Sequence, residues 1–310
     1  MTLQQLNYII TISEIGSINR AAEKLYVSQP SLTSALKELE KELGIVIFNR
    51  TGRGVTLTAE GVDFLPYARQ VYGQYLNLME KYGKGGARKQ KFGVSTQHYS
   101  FAVKAFVELV KAYDMEKYEF AIRETKTLSV ISDVAQMHSE IGLLYLSDFN
   151  RKAILKLLGA NGLSFHHLIF CNAYVYLAKD HPLAGRESIG FDDLAPYPCL
   201  SFEQGGESSF YFAEEILSTN EYPRSIKTTD RATNLNLMTG LNGYTLCSGI
   251  ICEELNGPDF VAVPYEPDAN NPNSVMDVGY IVKNNAILSG MGRRYLEEVR
   301  RYLGIEEEAQ

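Results

Sequence analysis

A chain of 310 residues is long enough for two or three domains, each with its own core. Its apolar content of 45% is ordinary for a globular protein, and no apolar run nears the roughly twenty residues of a membrane helix. A net charge of −7 excludes a protein that coats nucleic acid by bulk phosphate neutralisation. The acidic excess is uneven, since residues 1–87 carry nine basic and eight acidic side chains and the remainder twenty-one and twenty-nine. The N-terminal part is thus near neutral, and any nucleic-acid binding there would need a few well-placed contacts from more than one copy. The segment MTLQQLNYII has neither a cationic region nor a cleavage site, so no signal peptide is expected. Cys171, Cys199, Cys247 and Cys252 lack CxxC spacing and read as buried, reduced thiols of a cytoplasmic protein.

Thr2 and Gln5 form a capping box for a first helix that turns Leu3, Leu6 and Ile10 inward. Ile18, Ala21, Ala22 and Leu25 recur at helical spacing behind the N-cap residue Ser17. A second N-cap, Ser28, opens a helix with Leu32, Leu36, Leu39 and Leu43 on one face. Gln29 stands at its start, and Pro30, Ser31, Thr33, Ser34 and Lys37 complete its polar side. Such a helix-turn-helix can enter a major groove N-terminus first, and an ordinary helical hairpin would show the same pattern. Val46 to Gly61 then place a short strand, a turn with Gly52 and Gly54, and a second strand. This is a wing that carries Arg50 and Arg53 toward phosphate or a minor groove.

The stretches RAAEKLYVSQPSLT, ELEKELG and FNRTGRGVTLTAEG together resemble the LysR-type transcriptional regulators over about sixty consecutive residues in the expected order. The resemblance implies a winged helix-turn-helix that binds a double-stranded DNA operator. Its DNA-binding residues here would be Ser28, Gln29, Pro30, Ser31, Thr33, Ser34, Lys37, Arg50 and Arg53. One departure is Thr33-Ser34, where the family commonly has Ser-Arg. Lys37, one turn on, would take over part of the missing contact. Some relatives sense peroxide through a reactive cysteine, but near that position this chain has Ser208 and Ser209.

Thr58 opens a long helix reaching to about Tyr82. Leu65, Ala68, Tyr72, Tyr75, Met79 and Tyr82 alternate three and four apart, a heptad seam that implies a partner helix. The alternative is that the stripe packs on the chain's own domains. Pro66 sits near the helix start, where a lost hydrogen bond costs least. Lys84, Gly85, Gly86, Ala87 and Arg88 form a small polar hinge. The expected domains are therefore 1–58, a DNA-binding domain; 59–88, a dimerisation helix and hinge; and 89–310, an effector domain.

From Lys91 on, strands and helices alternate, which argues for an open, mainly parallel sheet. The strand KFGVS precedes a helix with Val103, Phe106, Val107 and Val110 on one face. Tyr118, Phe120 and Ile122 mark a second strand, Leu128, Ile131 and Ala135 a helix, and IGLLYL a buried strand. A similar unit starts at LIFCNAYVYLA and runs through helices at Phe210–Leu217 and Leu235–Met238 to a strand near Tyr244. The final strand, VMDVGYIV, and the helix MGRRYLEEVRRYL return to the first unit. Subdomain I is thus about 89–162 with 268–310, and subdomain II about 163–267. The LysR resemblance implies an α/β, periplasmic-binding-protein-like (type 2) domain with a cleft between these two. LSFHHL, KDHPLA and GLNGYTL stand where relatives carry similar sequences, while Cys247-Ser248 replaces an apolar residue and Pro.

No catalytic, metal or cofactor motif stands out. His166 and His167 should point to opposite faces of a strand, and His181 sits in a turn. Gly205, Gly206 and Glu207 form a loop that could cradle an anion or simply flex. The loop Ser95-Thr96-Gln97-His98 ends the first strand of the effector domain, where open α/β sheets bind ligands. It offers hydroxyl and amide groups at a helix N-terminus, more than capping of that helix, the alternative, would need. In LysR relatives this loop contacts the inducer, and the Thr-Gln pair resembles the sulfur-metabolism branch. The expected effector site is Ser95, Thr96, Gln97 and Thr127 facing Ser201 and Phe202, with Arg123, Lys126 and Arg231 favouring an anionic ligand. Dimerisation is expected at Leu65, Tyr72, Tyr75 and Met79. The expected partners are operator DNA, a small-molecule effector, a second or fourth copy of the chain and RNA polymerase. The alternative is a constitutive DNA-binding regulator with a vestigial, ligand-free cleft.

Overall fold

The structure, a computed structural model, describes residues 1–51, 54–82, 90–113, 118–205, 210–267 and 274–305. The chain divides into two compact units, Met1–Lys89 and Gln90–Gln310. The expected hinge, Lys84 to Arg88, lies outside the described residues.

The first unit is three helices, a β-hairpin and a long helix: α1 (Leu3–Ile15), α2 (Ile18–Lys24), α3 (Gln29–Leu43), β1 (Phe48–Thr51), β2 (Gly54–Leu57) and α4 (Ala59–Tyr82). Local chemistry sets each boundary. The Thr2–Gln5 capping box starts α1, Ser17 and Ser28 cap α2 and α3, and Gly16 and Gly44 end α1 and α3 in the left-handed region. Thr58 accepts from the Gly61 N–H at 2.9 Å and so opens α4. Leu32, Leu36 and Leu39 of α3 are buried together with Ile9, Ile12, Ala21 and Ile47. Gly54, at φ +138°, lies so close to Gly16 that an added Cβ would collide with the Gly16 carbonyl. The neighbouring Val55 N–H bonds the same carbonyl at 3.0 Å, which pins the hairpin to the end of α1.

Leu65 corrects the expected seam. It is 6% exposed and belongs to the first unit's own core, beside Leu36 and Leu39, and Ala68 is buried as well. The reason is geometric: α4 packs its first turns on α1, so the Leu65 side of the helix is already covered. Tyr72 and Tyr75 are half-buried and tilt against each other with centroids 6.0 Å apart, while Met79 is exposed. Tyr67, Val71 and Leu78, exposed on α4, lie within about 40° of one another on a helix of 3.6 residues per turn. The exposed apolar stripe is therefore rotated from the one the spacing suggested.

The second unit contains β3 (Gln90–Thr96), α5 (Ser100–Lys111), β4 (Tyr118–Glu124), α6 (Thr127–Ala135), β5 (Ile141–Leu146), α7 (Arg151–Ala160), β6 (Leu163–Asn172), β7 (Tyr174–Ala178), α8 (Phe191–Leu194), β8 (Cys199–Phe202), β9 (Ser225–Thr228), α9 (Arg231–Leu241), β10 (Tyr244–Cys247), α10 (Glu253–Asn256), β11 (Phe260–Pro264), β12 (Val275–Lys283) and α11 (Gly290–Leu303). They form two five-stranded sheets, ordered β4-β3-β5-β12-β6 and β11-β7-β10-β8-β9. In the first, β3, β4 and β5 are parallel and β12 returns antiparallel to both β5 and β6. In the second, β8 runs parallel to β9 and β10, and β7 is antiparallel to β10 and β11. This is the α/β, two-subdomain architecture, and the tail strand and helix do complete the first subdomain.

Three local expectations are corrected. The stretch 163–172 is one strand, β6, and pairs with β12 in the first sheet, so the crossover to the second falls at Ala173. The buried stripe of α5 is Phe101, Ala102, Ala105, Phe106 and Leu109, with Val103, Val107 and Val110 at its partly covered margin, because α11 packs beside α5. Between Phe210 and Leu217 there is only a 3-10 turn, Phe210–Phe212, and Leu217 adopts φ +61°, which a helix does not allow.

Candidate functional site

The buried Leu32-Leu36-Leu39 stripe of α3 turns the helix's polar side outward. Ser28, Gln29, Pro30, Ser31, Ser34 and Lys37 are exposed and Thr33 is half-buried. Ser28 Oγ accepts from the Ser31 N–H at 3.2 Å, which spends its side chain on the cap. Gln29 Nε2 donates to Thr33 Oγ1 at 2.8 Å, so its carboxamide is held on the outer face one turn from its own backbone. Ser34 Oγ donates to Glu38 Oε1 at 3.2 Å. Arg50 stands opposite Val55 in the hairpin ladder, its side chain outside the described structure, and Arg53 lies outside the described residues altogether. Tyr26, in the turn between α2 and α3, is 96% exposed at φ +55°. Sequence reasoning passed over it, although an aromatic residue in a polar turn is a visible signal.

The second unit holds a cavity of about 90 Å3 between its two sheets. That volume accommodates a small organic molecule, since one water needs only about 10–15 Å3 by the same kind of measure. His98, from the loop after β3, lines it from the first subdomain. Phe202, Glu214, Glu215, Arg231 and Thr245 line it from the second. His98 Nδ1 and its backbone N–H both meet Glu214 Oε2, at 2.8 and 2.9 Å, and its ring stacks on Phe202 with centroids 3.7 Å apart. Gln204 Nε2 donates to the other Glu214 oxygen at 2.9 Å. Arg231 pairs with Glu124 across the subdomains and donates to Asn256 Oδ1 at 3.1 Å. Burial raises the Glu124 carboxyl above the ordinary carboxylate range, against the pull of Arg231. Burial, reinforced by the charge of Glu214, pushes Glu215 up to about 8.

The loop expected to form the effector wall stands behind that cavity. Ser95 is fully buried and bonds Asp133 Oδ2 at 2.6 Å and Ser139 Oγ at 2.8 Å. Gln97 donates to Thr127 Oγ1 at 2.6 Å and accepts from Tyr99 Oη and the Tyr145 N–H at 2.9 and 3.2 Å. Thr127 in turn donates to the Phe212 carbonyl at 2.8 Å, and its N–H bonds Gln204 Oε1 at 3.1 Å. These three side chains are thus committed to protein partners. Thr96 Oγ1 is buried with no hydrogen-bond partner among the described residues. Ser201 is half-buried on β8 and is not among the residues around the cavity, so Phe202 alone of the six expected residues lines it. Helix α5 has no side-chain cap, which removes capping as the reason for this loop's polarity.

The basic residues behind the anionic expectation are also placed elsewhere. Arg123 is exposed and bonds Ser139 Oγ at 3.2 Å, Lys126 does not line the cavity, and Arg231 is paired with Glu124. The sequence carried no signal for Glu214 and Glu215, which sit between turns rather than in a motif. His166 stacks on Tyr280, His167 meets Asp277, and His181 accepts from the Leu183 N–H and bonds the Asn242 carbonyl. Cys171 and Cys199 are buried free thiols and Cys247 is half-buried, and burial pushes all three thiols up, to about 11, 12 and 12. Such thiols are poor nucleophiles. Ser208 and Ser209 lie outside the described residues.

Residues 3–62, the span that builds α1 through the start of α4, match the bacterial regulatory helix-turn-helix proteins of the lysR family. The N-terminal unit is thus a LysR-type helix-turn-helix domain. Among LysR relatives, AlsR of Bacillus subtilis is 27% identical over 68% of this chain and 67% of its own length. The RuBisCO operon transcriptional regulator of Allochromatium vinosum is 29% identical over 66% and 65%. ClcR of Pseudomonas putida reaches 48%, but over 23% of this chain and 24% of its own. The matched stretches therefore span between about a quarter and two thirds of these relatives. A full-length OxyR from Pseudomonas aeruginosa shares the fold over 100% of this chain and 99% of its own, with a TM-score of 0.65 at 18% identity. No helix among the described residues is long and apolar enough to cross a membrane.

Proposed function

We propose that the protein is a cytoplasmic transcriptional regulator that reads a pseudo-palindromic operator in double-stranded DNA through α3 and the β1–β2 wing. The observation that carries this reading is the exposed polar N-terminal half of α3, seated on a buried leucine stripe inside the span that matches the lysR helix-turn-helix. Gln29 supplies an amide suited to an adenine edge; Pro30, Ser31, Thr33, Ser34 and Lys37 supply packing and phosphate contacts. Arg50 and Arg53 extend the contact from the wing. The near-neutral first unit makes one module weak, and the Tyr67-Val71-Leu78 stripe of α4 supplies the surface for a second copy, with Tyr75 and Met79 at its edge. Dimers then pair into a tetramer, and RNA polymerase is the further partner of an activating complex.

The cavity of the second unit is the proposed effector site. A small molecule there alters the relative pose of the two subdomains, and with it the spacing of the DNA-reading heads. The vestigial alternative is disfavoured by the lining, because His98, Glu214, Glu215 and Arg231 are ionisable groups held in one cavity at a desolvation cost that packing alone does not require.

The experiment is selection of bound sequences from a random DNA pool with the full-length protein, followed by footprinting on the selected site. A two-fold symmetric footprint is expected, and Gln29→Ala should relax discrimination at one position per half-site. Sequence-indifferent binding would overturn the reading. Ser248→Phe, which fills the cavity from the loop after β10, should alter the footprint's spacing or remove its response to cell metabolites. A footprint and response identical to those of the unaltered protein would show the cleft to be vestigial.

A further inference from the structure

We propose that the cleft of the second unit takes a compact organic cation, a primary ammonium or guanidinium carried on a short hydrocarbon body, held by Glu215 and Thr245. This deepens, and rests on, the reading of that cleft as an effector site.

The charges that face the cavity favour a cation. Glu214 and Glu215 both line it, and its single arginine, Arg231, is already neutralised by Glu124. Arg123 and Lys126, which an anion would need, do not line it. A carboxylate entering here would meet the charge of Glu214 and hold Glu215 in its protonated form, without a free counter-charge of its own.

Two buried groups lack the partners that a bound amine would provide. Glu215 is 7% exposed, and the only hydrogen bond to its carboxyl from another residue among those described is from the Phe202 N–H to Oε1 at 2.8 Å. Thr245, 8% exposed, lines the same cavity from β10, and its hydroxyl makes no hydrogen bond among the described residues. A buried carboxyl with unused acceptor capacity is costly unless something completes it, and the Thr245 hydroxyl offers a further acceptor at the cavity wall. An ammonium carries three donors and the charge that a carboxylate lacks. By contrast, Glu214 already accepts from His98 and from Gln204, so it contributes field more than a binding position. The high pKa of Glu215 has the same physical origin: burial beside a second carboxylate without a dedicated counter-ion.

The rest of the lining sets the body of the ligand. Phe202 and Tyr176 present aromatic surface, and Leu235, Ile251 and Met276 present apolar surface. Aromatic faces attract cations, and the aliphatic groups suit a few methylenes. The size of the cavity limits the molecule to a small one.

The test uses the full-length protein and three probes with one four-carbon body: butylamine, butyrate and butan-1-ol, each titrated by calorimetry and by thermal unfolding. Butylamine should bind at least tenfold more tightly than either of the others. Glu215→Gln, which keeps the shape but cannot release a proton to pair with the ammonium, should weaken butylamine at least tenfold and leave butan-1-ol unchanged. Thr245→Val, a smaller perturbation, should weaken butylamine several-fold and serves if the glutamine variant does not fold. Tighter binding of butyrate would overturn the charge preference while leaving the cleft a ligand site. Butylamine binding unchanged by Glu215→Gln, Thr245→Val and Ser248→Phe would place the amine elsewhere, and no binding of any probe would also overturn the inference. The cleft reading is judged separately by the operator footprint of Ser248→Phe, which needs none of these probes.

Discussion

Glu215 couples the cleft to stability, and replacing it with Gln exposes the coupling. Its carboxyl is pushed up to about 8, first by burial and then by Glu214, with the Phe202 N–H and Lys227 pulling the other way. An unfolded glutamate titrates near about 4.3. Between these values the folded chain keeps a proton that the unfolded chain has released. The linked stability is therefore complete at acid pH and is lost as pH rises toward 8, at about 1.4 kcal/mol per pH unit. Over pH 5 to 8 this amounts to roughly 4 kcal/mol. Glutamine cannot ionise, yet its carboxamide oxygen can still accept from the Phe202 N–H. The other titratable groups around Glu215, namely Glu214, Lys227, Tyr99, Tyr145, Cys199 and Tyr222, are common to both proteins. Their titrations largely cancel in the difference. The assay is urea unfolding of full-length protein at half-unit pH steps, followed by circular dichroism and tyrosine fluorescence, since the chain has no tryptophan. Glu215→Gln should gain on the unaltered protein steadily from pH 5 to 8 and no further above that. Parallel profiles across this window would refute the placement of an uncompensated carboxyl in the cleft wall.

Gln29→Ala should cost about 1–3 kcal/mol of discrimination at one operator position without changing the salt slope of binding, measured by competition gel shift. Leu65→Ala should destabilise the first unit by about 2–5 kcal/mol in thermal unfolding, as a core truncation does, whereas Val71→Glu with Leu78→Glu should instead lower the mass seen in light scattering. An intact oligomer in the double variant would remove the α4 stripe from the interface. Thr96→Val should leave stability unchanged or raise it by about 1–3 kcal/mol, because it removes an unpaired buried hydroxyl. A loss of stability would mean that this hydroxyl is satisfied in solution.

The helix-turn-helix was legible because every signal in it is local. Ser17 and Ser28 cap helices within three residues of themselves, and the Leu32-Leu36-Leu39 stripe needs only helical periodicity to define an inner face. The strand-helix alternation after Lys91 likewise announced an open sheet, and the family resemblance implied two subdomains with the tail returned to the first. Tertiary structure decided what local spacing leaves undetermined. The α4 pattern from Leu65 to Met79 is compatible with more than one buried face, and α1 selects the Leu65 side for the first unit's own core. The crossover at Ala173 depends on β6 pairing with β12, more than a hundred residues later. The cleft shows the same dependence most sharply. Ser95, Gln97 and Thr127 are polar residues at strand ends, as a ligand wall would be, yet Asp133, Tyr145 and Phe212 use up their hydrogen bonds. His98 faces the cavity instead because Glu214 and Phe202, over a hundred residues away, hold its ring there. Chain order sets which groups a loop carries. Which of them remain free for a ligand depends on partners brought to them only by the folded chain.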